Sequence, residues 1–132
     1  MKIFVDTNIL IFVSINKSEY INHIMQYINS NCELLISDYI IVEYDRVINS
    51  KKMSKYNCIN IFDQLLFKRI KSIDYEDKDY IKIRDNNDYQ VLYDAINGNA
   101  DILLTNDKDF NNIEIDKPRI LNLKQFYEEF MQ

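Results

Sequence analysis

Residues 2–10 read KIFVDTNIL, and residues 100–110 read ADILLTNDKDF. In both stretches an apolar run of strand length stops at small polar residues and an aspartate, Asp6 in the first and Asp107 in the second. Ligands of open parallel α/β sheets bind in the crevice at the carboxyl ends of the strands. A pair of carboxylates at such ends predicts an oxygen-ligand metal site, and therefore phosphate chemistry.

The length and the apolar pattern predict one domain and no membrane span. The chain has 132 residues, enough for a single compact core, so we expect one domain over residues 1–132. No apolar stretch approaches the roughly 20 residues that cross a bilayer. Asp6 and Asn8 interrupt the amino-terminal apolar run, which favours a cytoplasmic protein over a signal peptide. Cys32 and Cys58 lack the spacing of a zinc site or a disulfide framework.

The charged and catalytic residue types narrow the chemistry to carboxylates. A formal net charge of -5 argues against indiscriminate binding to nucleic acid, although it allows a nuclease whose acids are neutralised by metal. The single histidine, His23, is predicted on the solvent side of its helix. The sequence has no glycine-rich phosphate loop, no nucleophile elbow and no cysteine with a histidine partner to spare.

Alternating strands and helices predict a parallel sheet sandwiched by helices. We expect strands near residues 2–5, 33–36, 70–73, 80–83, 101–104 and 119–121. We expect helices over residues 7–15, after Ser18, from Ser37 to about residue 49, and from residue 123. A further helix is expected around residues 59–66, with Ile59, Phe62, Leu65 and Leu66 facing inward. Another is expected from Asp85 to the stop signal at Asn97-Gly98-Asn99. Residues 74–88 are strongly acidic and are expected to form an exposed connection.

Asp6 is the strongest candidate for a functional acid. It can cap the helix that begins near Thr7, yet an uncompensated carboxylate at the end of a buried strand is costly, so a metal or another cation is implied. Asp107 holds a comparable position after its strand, with Thr105 and Asn106 able to cap or orient it. Asp109 is either a further ligand or an ordinary turn carboxylate.

Two helices offer further acids. Asp88 falls in the first turn of its helix, on the side of the packed face, where the helix dipole favours a carboxylate even without a metal. Asp94 lies further into the same helix. On the helix that follows Ser37, Glu43 and Asp45 flank the apolar face on opposite sides, and the helical wheel does not choose between them.

The ordered set of these motifs resembles the PIN-domain nucleases, most closely the branch that contains toxin components of toxin–antitoxin systems. The resemblance covers essentially the whole chain and rests on residues 5–10, Ser37 with the pairs Glu43-Tyr44 and Arg46-Val47, Asp88 leading to Ala95, Ala100-Asp101, and residues 105–110. It implies a PIN-like three-layer α/β/α sandwich with a central parallel sheet of four to five strands. Asn106 and the pair Asn122-Leu123 depart from the usual pattern of this branch, which weakens assignment to a subfamily.

The resemblance implies a site and partners. Its acidic quartet corresponds to Asp6, Glu43, Asp88 and Asp107, with Asp109 as a further candidate metal ligand, so the resemblance chooses Glu43 over Asp45. Thr7, Asn8 and Thr105 match supporting polar positions. The implied cofactor is Mg²⁺ or Mn²⁺, and the implied activity is cleavage of single-stranded or structured RNA by metal-activated water. An antitoxin protein and a homodimer are also implied.

Basic and aromatic residues are candidates for contacts with the substrate, and two other functions are weighed against the nuclease. Lys51, Lys52 and Lys55 are candidate RNA-binding residues, with a second basic cluster at Lys68, Arg69 and Lys71 and with Tyr39 and Tyr44 as candidate base-stacking residues. The alternative function is a catalytically silent interaction module of the same fold that binds a small basic partner, to which a charge of -5 is complementary. An aspartyl phosphatase is disfavoured because Asn8 stands where its second aspartate is needed.

Overall fold

A computed structural model describes residues 1–73 and 86–132 of the chain, with side chains for residues 1–73 and 89–132. The strands in these ranges are β1 (Lys2–Val5), β2 (Glu33–Ser37), β3 (Phe67–Ile70), β4 (Ile102–Leu104) and β5 (Arg119–Leu121). The α-helices are α1 (Thr7–Ile15), α2 (Glu19–Asn31), α3 (Asp38–Ile48), α4 (Ile61–Gln64), α5 (Asn86–Asn97) and α6 (Leu123–Phe130). The predicted strand at 80–83, the connection before α5 and Asp85 lie outside the described residues.

The strands form one all-parallel sheet in the order β3-β2-β1-β4-β5. Its central strands are apolar and buried along their length, as at residues 3–5 and 102–104. A parallel sheet covered by helices on both faces needs such continuous apolar strands. The predicted α/β/α sandwich is therefore confirmed, with five strands in the sheet.

The order of the strands reverses between β1 and β4. The chain runs outward from β1 through β2 to β3, then returns to the other side of β1 with β4 and β5. Val5 pairs with Leu104, so Asp6 and Thr105 are the next residues of two neighbouring strands. Open α/β sheets bind ligands at the crevice beside such a reversal.

Polar side chains start the helices as the sequence predicts. Ser18 Oγ accepts from the Ile21 N–H at the start of α2, and Ser37 Oγ accepts from the Ile40 N–H at the start of α3. Each bond satisfies a donor that the first helical turn leaves without an internal partner. Among the described residues, no helix has both the length and the apolarity needed to cross a bilayer.

The prediction of a helix around residues 59–66 is wrong in extent and in its inward face. Only Ile61–Gln64 are helical, and Phe62 and Leu66 are 45% and 83% exposed. The Ile59 N–H instead donates to the Ser14 carbonyl, and β3 begins to pair with β2 already at Phe67. Pairing of Phe67 also places β3 at 67–70, three residues before the predicted position. Sheet pairing and a long-range backbone bond override the local helical pattern.

Candidate active site

Asp6 occupies the carboxyl end of β1 and caps α1. Its side chain is buried, with 7% of its surface exposed. Oδ1 accepts from the Thr7 backbone N–H at 2.8 Å, and Oδ2 accepts from the Thr105 hydroxyl at 2.7 Å. Both carboxylate oxygens are thus fixed, one by the helix that follows β1 and the other by the residue that follows β4.

The surroundings of Asp6 oppose its negative charge. Burial raises the pKa of Asp6 above its usual value, and the charges of Glu43 and Asp107 raise it further. The hydrogen bonds from Thr105 and Thr7 partly offset this rise in pKa by stabilising the carboxylate. Within the described part of the chain, no ion pair involves Asp6, Glu43 or Asp107. Glu43 and Asp107 therefore act on Asp6, and none of the three acids has a paired lysine or arginine in those ranges.

Thr105 links the two aspartates that follow the central strands. Its hydroxyl donates to Asp6 and accepts from the Asp107 backbone N–H at 3.1 Å. Asp107 is half-buried, and its Oδ1 accepts from the Asp109 N–H at 2.9 Å. Asp109 also is half-buried, in the short 3-10 turn over residues 108–110.

Glu43 and Asp45 lie in different surroundings on α3. Glu43 is half-buried, accepts from the Tyr39 hydroxyl at 3.1 Å, and its charge acts on Asp6. Asp45 is exposed, and its charge acts on the Tyr44 hydroxyl instead. The helical wheel left these two acids equivalent, whereas the packing of α3 separates them.

The other residues expected at the site, Asp88, Thr7 and Asn8, differ in how far they are described and buried. Asp88 belongs to the first turn of α5, but its side chain lies outside the described residues. Thr7 is buried, and its Oγ1 has no hydrogen-bond partner among the described residues, whereas Asn8 is exposed. A buried hydroxyl without a partner is costly unless a ligand or water satisfies it.

The oxygen-rich donor set suits a hard divalent cation, although the described acids do not by themselves form a ligand cluster. Carboxylates and hydroxyls are the donors that Mg²⁺ and Mn²⁺ prefer. Within residues 1–73 and 89–132, no three histidine, cysteine, aspartate or glutamate side chains stand close enough together to hold a metal ion. The charges of Glu43 and Asp107 both act on Asp6. The fourth expected acid, Asp88, has its side chain outside the described residues, so the absence of a ligand cluster among the described acids does not concern it.

A second buried acid, Asp94 on α5, was not among the residues that the sequence selected for the site. The Asp94 side chain is fully buried and accepts from the Ser72 hydroxyl at 2.7 Å and from Gln90 Nε2 at 2.8 Å. Ser72 Oγ also accepts from the Tyr39 N–H at 2.9 Å, so Asp94 ties α5 to the start of α3. Its place between Val91 and Ala95 on the packed face was the available signal.

The expected substrate-contact residues receive mixed support. Lys51, Lys52 and Lys55 are exposed beyond the end of α3. In the second basic cluster, Lys68 pairs with Glu33 and Arg69 with Asp38, at 3.5 and 2.6 Å. The interpretation of Tyr44 as a base-stacking residue is wrong, because its ring is buried against α1 and Phe62 and its hydroxyl bonds Ser14.

Comparisons with known proteins agree with the fold. The sequence profile of a family described as PIN domain matches residues 2–109. The fold is similar to the crystal structure of VapBC2 from Rickettsia felis bound to a DNA fragment from their promoter, with a TM-score of 0.67 and 24% sequence identity. That alignment covers 92% of this chain and 98% of the other. No curated protein matches the chain.

Proposed function

The chain belongs to the PIN-domain family, and from that premise we propose that it is a Mg²⁺- or Mn²⁺-dependent endoribonuclease that acts as the toxin of a toxin–antitoxin pair. The observation that carries the proposal is the buried, charge-opposed Asp6, with Glu43 and Asp107 acting on it. A buried carboxylate at the carboxyl edge of a sheet, with two further acids acting on it, is costly without a positive partner, and a cation bound there would remove that cost.

The proposed roles follow from the position of each side chain. Asp6, Glu43, Asp88 and Asp107 would hold the ion, with Asp109 as a further ligand. A bound divalent ion supplies Lewis-acid stabilisation of charge on the phosphodiester and lowers the pKa of water. Thr105 keeps Asp6 and Asp107 in fixed orientation, and the Tyr39 hydroxyl orients Glu43. The buried Thr7 hydroxyl, which has no hydrogen-bond partner among the described residues, would be satisfied by a water of the site.

The proposed partners are an RNA substrate in the cytoplasm, a second copy of the chain and an antitoxin protein. The similar fold in the VapBC2 crystal structure supports the antitoxin partner. A net charge of -5 is complementary to a basic segment of such a partner. Lys51, Lys52 and Lys55 would contact the RNA backbone at the rim of the acidic centre.

The test is cleavage of labelled single-stranded RNA with Mg²⁺, Mn²⁺ or EDTA. We expect the wild type to cleave only with metal, and Asp6→Asn and Glu43→Gln each to lose at least about a hundredfold in rate, as for loss of a metal ligand. Asp45→Asn, on the exposed side of the same helix, is the matched control and should keep its activity within about twofold.

Three results would change the proposal. Equal cleavage by the wild type and Asp6→Asn would remove Asp6 from the site. A folded wild type that cleaves no RNA with either metal, but binds a small basic protein encoded by a neighbouring reading frame, would instead support the interaction module. Cleavage that survives EDTA would overturn the dependence on metal.

A further inference from the structure

The buried Asp94 carboxylate holds the residues that follow β3 against α5. Its Oδ2 accepts from the Ser72 hydroxyl at 2.7 Å, and its Oδ1 accepts from Gln90 Nε2 at 2.8 Å. The same Gln90 nitrogen donates to the Ile73 carbonyl at 3.1 Å. Both carboxylate oxygens are therefore occupied by groups of the protein, and residues 72–73 are tied to the helix that also contains Asp88.

Ser72 extends this network to the start of α3. The Tyr39 N–H belongs to the first turn of α3, where backbone N–H groups have no partner within the helix. It donates to Ser72 Oγ at 2.9 Å. A backbone N–H can only donate, so the Ser72 oxygen accepts there and its single proton is directed to Asp94. Ser37, the N-cap of α3, also interacts with the Asp94 carboxylate.

The residue that Ser72 holds is the one that contacts Glu43. The Tyr39 hydroxyl donates to Glu43 Oε2 at 3.1 Å, one helical turn further along α3. The charge of Glu43 in turn acts on Asp6. A displacement of the first turn of α3 moves the Tyr39 ring and the Glu43 carboxylate together. The position of Glu43 therefore depends on contacts that lead through Ser72 to Asp94.

We propose that Asp94 is a positioning residue of the candidate active site: through Ser72 and Tyr39 it places Glu43, and it fixes α3 relative to α5. The proposal rests on the proposed function, in which Glu43 on α3 and Asp88 on α5 hold the cation. Asp94 itself touches neither metal nor RNA. A buried carboxylate costs stability that an apolar residue would not, and fixing the relative position of two functional helices is a use for it.

The first test needs neither metal nor RNA. Hydrogen exchange of backbone amides is measured by NMR in EDTA for the wild type, Asp94→Ala and Ser72→Ala. We expect both variants to speed exchange of the Tyr39 amide at least about fivefold, because each removes support for its hydrogen bond. The Ile21 amide, which donates to the Ser18 hydroxyl at the start of α2, should exchange at an unchanged rate and is the internal reference.

The Glu43 carboxylate is observed directly in the same samples. Its ¹³C carboxyl signal is assigned by its loss in Glu43→Gln. We expect Asp94→Ala and Ser72→Ala to move this signal in the direction in which Tyr39→Phe moves it, since all three changes disturb the contact between Tyr39 and Glu43. Ser72→Ala leaves the Asp94 side chain in place, so it decides the question even if Asp94→Ala does not fold.

The functional test compares Mn²⁺ binding without RNA, measured by EPR, with cleavage of labelled RNA. We expect Asp94→Ala and Ser72→Ala each to weaken Mn²⁺ binding and to slow cleavage by about ten- to a hundredfold, as for residues that orient metal ligands. Asp94→Asn keeps an acceptor oxygen for the Ser72 hydroxyl and should retain cleavage within about threefold of the wild type.

Ser18→Ala is the matched control. It removes a serine hydroxyl that accepts from a first-turn N–H at 3.2 Å, but on α2. It should lose stability as a helix-cap variant does, and should cleave RNA within about twofold of the wild type. An equal loss of cleavage in Ser18→Ala and Ser72→Ala would be an effect of stability and would overturn the positioning role.

The positioning role and the ribonuclease fail separately. An unchanged Tyr39 amide and Glu43 signal in Ser72→Ala would reject the positioning role, as would full cleavage by Ser72→Ala and Asp94→Ala despite fast exchange of Tyr39. A wild type that cleaves no RNA would reject the ribonuclease. The exchange rates and the Glu43 signal in EDTA would then still decide whether Asp94 places Glu43.

Discussion

At the scale of single residues, Thr105 connects two acids of the candidate site. One hydroxyl donates to the Asp6 carboxylate and accepts from the Asp107 backbone. Because Thr105 is buried, water does not readily replace either bond. The relative orientation of the two aspartates therefore depends on Thr105, a neutral residue that carries no charge to attract a cation.

Thr105→Val tests this dependence, since valine has the shape of threonine without its hydroxyl. We expect roughly a ten- to hundredfold loss of RNA cleavage, as for residues that orient metal ligands. Thr105→Ser should restore most of the activity. Cleavage rates are compared with circular dichroism spectra of the three proteins. Full activity of the valine variant, or failure of serine to restore activity, would contradict the orienting role.

The raised pKa of the buried Asp94 should make the stability of the protein depend on pH. Burial raises the pKa of Asp94 above its usual value of 3.8, while bonds from Ser37, Ser72 and Gln90 partly offset the rise and the charge of Asp38 adds to it. The folded protein therefore binds this proton more tightly than the unfolded chain does. As the pH rises through the interval between the unfolded and the folded pKa, Asp94 must lower the free energy of unfolding.

Asp94→Asn removes this titration. We expect the stability of the wild type relative to Asp94→Asn to fall as the pH rises from below 3.8 to neutral, as measured by urea unfolding across that range. Asp116→Asn, an exposed substitution of the same kind, is the control. If the free energy of unfolding of the wild type minus that of Asp94→Asn stays constant or rises with pH, Asp94 does not titrate in this way.

At the scale of elements, the end of α5 is packed closely against the sheet. A methyl group added at Gly98 would lie 2.6 Å from Ile70 Cδ1 and 3.3 Å from the Asp94 carbonyl oxygen. The residue with positive φ at this helix end is Asn99, at 57°, so Gly98 is needed for space rather than for an unusual backbone conformation. The predicted helix stop is thus confirmed, but its glycine has a packing role.

Gly98→Ala is expected to destabilise the protein by about 1–2 kcal/mol, because the added carbon overpacks the contact with β3. Ile70→Val removes the atom that the new methyl would meet, so Gly98→Ala should cost less in that background. Urea unfolding of the two single variants and the double variant forms a cycle that isolates this contact. If the changes in the free energy of unfolding of the two single variants simply add in the double variant, the strain lies at the Asp94 carbonyl instead.

The elements differ in how far the sequence predicted them. β1, α1, α2 and α3 lie close to their predicted positions because an apolar pattern and a polar cap agree there. Around residues 59–66 the pattern is helical, yet the Ile59 N–H bonds Ser14 from another element. A bond across that sequence distance has no local signature. The face that Phe62 and Leu66 turn to the surface therefore could not be read from spacing.

The same limit applies to the candidate site. Asp6 and Asp107 were visible because each ends an apolar run. Choosing Glu43 over Asp45 needed a family resemblance, since both acids flank one helical face. The network around Asp94 depends on side chains from distant segments, such as Ser72 with Asp94. Periodicity carries no information on such contacts.

At the scale of the whole molecule, metal binding should change the stability of the fold. A ligand that binds only the folded state at a hundred times its Kd stabilises by about 2.7 kcal/mol. We expect Mn²⁺ to raise the Tm of the wild type by several degrees and to leave the Tm of Asp6→Asn unchanged. Without metal, Asp6→Asn should be at least as stable as the wild type, because asparagine caps α1 equally well and carries no buried charge.

Differential scanning calorimetry with EDTA and with Mn²⁺ measures both effects. Asp45→Asn should respond to the metal as the wild type does. An equal rise of Tm for the wild type and Asp6→Asn would place the cation elsewhere on this acidic surface. A metal-free Asp6→Asn that is clearly less stable than the wild type would contradict the cost assigned to the buried carboxylate.

The hydrogen bond between Asp6 and Thr105 joins residues 99 positions apart in the chain. During synthesis, the first aspartate therefore leaves the ribosome long before the strand that completes its surroundings. A nascent or prematurely terminated chain without β4 carries Asp6 but neither Thr105 nor Asp107. The order of the sheet thus delays assembly of the acidic cleft until β4 and the residues that follow it have been made.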